Sequence, residues 1–98
     1  MGDKDFLKML LGGFIQELPD QIELLKAAVA DTDTVALTEQ AHKLKGSAAN
    51  LSAHGVSSAA KSLEEIGRSQ KMDNANQILE ILINEGKRLT EYIERAEW

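Results

Sequence analysis

TVALTEQAHKLKGSAANLSA, residues Thr34 to Ala53, sets Leu37, Ala41, Leu44, Ala48 and Leu51 at intervals of three and four. That is the period of a helix with one buried stripe. At about 100° per residue, with Leu37 as zero, all five fall within about 40° of one direction. His42 then lies at about 140°, Gly46 at about 180°, Ala49 at about 120° and Ala53 at about 160°, all facing outward. Lys45, at about 80°, stands on the flank one turn beyond the histidine, in reach of the same space. Gly55 is placed to stop the helix after Ala53.

The same period runs on both sides of this segment. Phe6 to Leu18 forms a short first helix, weakened at Gly12 and Gly13 by roughly 1 kcal/mol each relative to alanine. Pro19 suits the first turn of a second helix, and Ile22, Leu25 and Val29 carry its stripe to about Ala30. The cluster Asp31, Thr32, Asp33 and Thr34 ends that helix and caps the next. Val56, Ala59, Ala60, Leu63 and Ile66 line a further helix ending near Arg68. Asp73 caps the last, with Ala75, Ile78, Leu79, Leu82, Gly86, Leu89, Ile93 and Ala96 inward and Met9 and Met72 in core or edge packing. Strand-type alternation is absent, and every connection is two to six residues long, so neighbouring helices run antiparallel. The expected fold is all-α: an antiparallel up-and-down four-helix bundle with a short additional N-terminal helix, one domain over residues 1–98.

Composition narrows the function. The chain has 98 residues, with 11 Lys and Arg against 16 Asp and Glu, a net charge of −5. A chain of this size holds one modest core and no deep inter-domain cleft. The acidic balance, with 4% aromatic residues, argues against a nucleic-acid binder, which needs a basic footprint for phosphates. Without cysteine there is no disulfide, thiolate metal cage or cysteine nucleophile. No apolar run approaches the roughly 18 residues that span a bilayer, and Met1 to Asp5 lacks the order of a secretory signal. A cytoplasmic protein without membrane or nucleic-acid partners is expected.

Chemistry points to His42. A neutral, exposed imidazole is a ready nucleophile at pH 7. If it accepts a phosphoryl group, Lys45 stabilises the new charge as a point cation, with Ser47 or Lys43 adding local support. Gly46 costs about 1 kcal/mol mid-helix and no core contact requires it. With Ala49 and Ala53 it clears a flat platform suited to another protein's surface. Glu39 and His42 form a Glu-x-x-His pair, but no second pair completes a di-metal site. His54 has no lysine three residues later and reads as structural or incidental. No metal site and no bound cofactor are expected, so a partner must supply the Mg²⁺ for phosphoryl transfer.

The run Ala41-His42-Lys43-Leu44-Lys45-Gly46-Ser47-Ala48-Ala49-Asn50-Leu51, followed by Ala53, resembles the phosphoacceptor helix of histidine-containing phosphotransfer (HPt) domains. The likeness extends over nearly the whole chain, including Glu17-Leu18-Pro19. It implies a phosphoryl carrier rather than an autonomous enzyme, with His42 phosphorylated, usually on Nε2, Lys45 stabilising the charge and Gly46 giving access. It further implies exchange with aspartates of receiver domains, in response regulators or hybrid histidine kinases. Those receivers bring the Mg²⁺ and dock transiently on Lys43, Ser47, Ala49 and Ala53 of a monomer. Ser52 stands where the family commonly has glycine. Many members place a glutamine on the next helix; the corresponding region here offers Lys61, Ser62, Glu64 and Glu65, to which no role is carried over. Two other readings stay open: the phosphoacceptor module of a hybrid or chemotaxis-type histidine kinase, and a helical adaptor that is never phosphorylated.

Overall fold

Pro19 does not divide the first helix. In the computed structural model, which describes residues 3–95, α1 runs unbroken from Asp3 to Ala30 with Pro19 inside it. The expected short N-terminal helix and the second helix are therefore one element. An interior proline costs about 3 kcal/mol through a lost hydrogen bond and a clash. Here it lies on the exposed face, where water can satisfy the carbonyl it leaves unpaired. The buried stripe of Leu11, Phe14, Leu18, Leu25 and Ala28 passes it without a change of phase. Each buried leucine contributes about 1.5–3 kcal/mol, enough together to offset the proline.

Three further helices follow: α2 (Thr34–Asn50), α3 (His54–Ser69) and α4 (Ala75–Arg95). Asp33 caps α2, its carboxylate accepting the Ala36 N–H at 3.0 Å, as the polar cluster predicts. α2 ends at Asn50, three residues earlier than expected. The Ala53 N–H donates to the Ala48 carbonyl at 2.8 Å and the Ser52 N–H to Ala49 at 3.0 Å, a wrap that satisfies orphan carbonyls of the last turn. It requires a left-handed residue, and Ser52 takes that role with φ 57°, at a cost of about 1 kcal/mol for a residue with a Cβ. Gly55 is accordingly not the stop of α2 but the second residue of α3, where Glu85 packs directly against it. The turn before α4 is closed by the Ala75 N–H on the Met72 carbonyl at 3.1 Å, rather than by the Asp73 side chain.

Each helix packs on two neighbours: α1 and α3 each lie against both α2 and α4. With turns of three to five residues this is the up-and-down four-helix bundle the periodicity predicts. Leu25, Leu37, Leu44, Leu63 and Leu82 are its fully buried centre. At 28 residues, α1 spans about 42 Å, nearly the full 46 Å of the molecule. Its first turns stay outside the core: Phe6, Leu7, Met9 and Leu10 are exposed, so Met9 is not core packing, while Met72 is partly buried. Ala96, expected in the last stripe, lies outside the described residues. Among the described residues, no helix is long and apolar enough to cross a membrane.

Candidate functional site

The stripe of Leu37, Ala41, Leu44 and Ala48 is fully buried, which turns His42 away from the core. Its side chain is 62% exposed. It is not solitary, however. Across the α2–α3 interface, His42 Nδ1 lies 2.6 Å from Glu64 Oε2. Lys45 Nζ donates to Glu64 Oε1 at 2.7 Å, and Arg68 Nη2, one turn along α3, donates to Oε2 at 2.9 Å.

Glu64 is the residue that sequence reasoning missed. Its side chain is only 2% exposed, and a buried carboxylate without partners is strongly unfavourable. Both oxygens are engaged. The Lys45 hydrogen bond holds its carboxyl below the ordinary value of 4.5; burial pushes upward, and the His42 hydrogen bond and the charges of Arg68 and Lys45 pull further down. The sequence did carry a signal. Ala60, Leu63, Glu64 and Gly67 are all buried at spacings of three, four and seven, so a glutamate sits inside the apolar stripe of α3.

Gly67 explains how the two helices come close enough. A Cβ there would lie 3.0 Å from the Thr38 nitrogen and 3.1 Å from the Thr34 carbonyl oxygen, and would run into Thr38 Oγ1. The crossing of α2 and α3 thus falls one turn from both His42 and Glu64. Only a residue without a side chain fits.

An ionised carboxylate has no proton, so the hydrogen in the 2.6 Å contact belongs to Nδ1. In the neutral ring, Nε2 is then the nitrogen that carries the lone pair. Attack through Nε2 gives the ring a positive charge, and the carboxylate is placed to stabilise it. Glu64 already faces three N–H donors, two of them cations, a surrounding unsuited to holding a divalent ion as well.

The other expected residues fall into two groups. Lys43, Gly46, Ser47 and Ala49 are exposed on α2, and a Cβ on Gly46 would meet nothing within 4 Å. Ala53 is not on that platform. It is 6% exposed and belongs to the core, because the helix on which its outward angle was reckoned ends at Asn50 and the turn swings it inward. Lys45 is half-buried and bound to Glu64 rather than free on the flank. His54 is the exposed first residue of α3.

Compared with known families, the model of the Hpt domain matches residues 9–97. No curated protein and no solved structure matches the chain.

Proposed function

Given that the chain belongs to the Hpt domain family, the histidine phosphotransfer modules of phosphorelays, we propose that His42 carries the phosphoryl group between receiver-domain aspartates. The observation that supports this most directly is the 2.6 Å contact between His42 Nδ1 and the buried Glu64 carboxylate. It selects the tautomer whose Nε2 is nucleophilic and leaves that exposed ring open to a partner. The Nε2 lone pair forms the N–P bond while the aspartyl P–O bond breaks, its electron pair returning to the aspartate carboxylate. Nδ1 keeps its proton throughout, and Glu64 stabilises the cationic ring. In the onward step a second aspartate attacks phosphorus, the P–N pair returns to Nε2 and the neutral imidazole is restored. The receiver supplies the Mg²⁺.

A receiver carrying a labelled phosphoryl group tests this. The chain should acquire acid-labile, base-stable label, and His42→Gln should acquire none. Label persisting in the variant would exclude His42.

Gly46 belongs to the docking side of the same reading, beside Lys43, Ser47 and Ala49. Open space surrounds it, so Gly46→Ala should raise stability by about 0.5–1 kcal/mol. Gly46→Leu should fold equally well but slow transfer, by crowding the surface next to the ring. Denaturant melts with single-turnover rates on both variants check this; unchanged transfer in Gly46→Leu would contradict the access role.

A further inference from the structure

The cluster at His42 contains one cation more than its carboxylate needs. Lys45 and Arg68 both contact Glu64, and with a neutral imidazole the group carries an excess positive charge. The two cations are not equivalent. Lys45 is 30% exposed and has Oε1 to itself, whereas Arg68 is 63% exposed and shares Oε2 with the histidine. Were Lys45 to leave, Oε1 would become a buried acceptor with no donor, which is costly. Were Arg68 to leave, each oxygen would still hold one donor, Lys45 on Oε1 and the Nδ1–H on Oε2.

From this asymmetry we infer that Arg68, rather than Lys45, contacts the phosphoryl group on His42, while Lys45 stays on Glu64 to neutralise it. The inference rests on His42 being the phosphoacceptor. Arg68 and His42 line the same shallow depression together with Glu64, which Lys45 neutralises from outside it, and with Glu39 and Lys43, whose opposite charges offset each other. Arg68 therefore supplies the net positive charge there. A guanidinium offers five N–H donors in a planar fork that matches phosphate oxygens in pairs. One of them is committed to Glu64, so the fork can turn to the phosphoryl group at little loss.

The decisive quantity is an equilibrium rather than a rate. At equilibrium, the division of label between the 98-residue chain and a receiver present in trace amount reflects only the stability of the phosphorylated forms. Contacts made solely in the docked complex do not enter. Arg68→Ala should shift that equilibrium about tenfold toward the receiver, the size of one charge-assisted hydrogen bond. Arg68→Lys should restore part of it, and Lys71→Ala, which removes the same charge nearby, should leave it at the wild-type value. The ³¹P resonance of the phosphohistidine should move in Arg68→Ala. Melting of the unphosphorylated variant should match wild type, since Glu64 retains Lys45. An Arg68→Ala equilibrium within twofold of wild type would overturn the inference and leave the assignment of His42 standing, as would equal shifts in Arg68→Ala and Lys71→Ala. Failure of the wild-type chain to take label at all would remove both.

Discussion

Glu64→Gln is expected to slow phosphoryl acceptance by His42 on the order of a hundredfold while the chain still folds. The amide can accept one hydrogen bond in place of the carboxylate, but it brings no negative charge. Attack by Nε2 then creates a cationic ring beside Lys45 and Arg68, with the one negative charge they both contacted removed. Two consequences separate this effect from a general loosening. In long-range ¹H–¹⁵N spectra, the wild-type ring should show a proton on Nδ1 and the variant a mixture of tautomers. Stability should also respond differently to acid. Because the folded-state carboxyl of Glu64 is held below 4.5, the unfolded chain binds more protons, and the contribution of Glu64 is fully present above that value and fades as pH falls through the lowered one. The stability gap between wild type and variant should be widest near neutrality and shrink below about pH 4.5. Single-turnover transfer at wild-type rate, or a gap independent of pH, would remove Glu64 from the site.

The parts of this site that could be read from sequence are those that one helix determines by itself. The angle between His42 and the stripe from Leu37 to Ala48 follows from the helical repeat alone, and the exposed ring agrees with it. The same holds for Gly46, whose surroundings are open as its angle implies. Ala53 failed because an angle can be carried forward only as far as the helix runs, and a left-handed Ser52 ends that regularity. Pro19 misled for a related reason. Local preference disfavours proline inside a helix, but the apolar stripe on the opposite face continues through it, and tertiary burial outweighs the penalty.

Glu64 was illegible for a different reason. An apolar stripe interrupted by a carboxylate looks like a flaw in the pattern of α3. It becomes sensible only when α2 is laid against it and Lys45 and His42 come within 2.7 Å. No single-helix projection contains that distance. Lys45, read alone, is a free cation for phosphate; read against α3 it is the counterion of a buried acid.

Gly67→Val should lower stability by about 3 kcal/mol and the melting temperature by roughly 12–24 °C for a domain of this size. The added carbons would meet the Thr38 nitrogen, the Thr34 carbonyl oxygen and Thr38 Oγ1. Two of these are backbone atoms of α2 and cannot rotate away. Thr38 Oγ1 is itself held, donating to the Thr34 carbonyl at 2.7 Å. Relief therefore requires α2 to retreat from α3, and the retreat occurs one turn from the 2.6 Å contact between His42 and Glu64. The variant should lose the Nδ1–H tautomer signature together with its stability, although neither partner has been altered. Thr38→Ala in the Gly67→Val background removes one of the three obstructions and should recover part of the loss, leaving the backbone contacts. The contrast with Gly46→Ala is the sharpest check. Both replacements improve helix propensity, yet one meets open space and the other a neighbouring backbone. Scanning calorimetry should find them on opposite sides of wild type. A Gly67→Val chain melting with wild type would mean that α2 and α3 are not held together at this crossing.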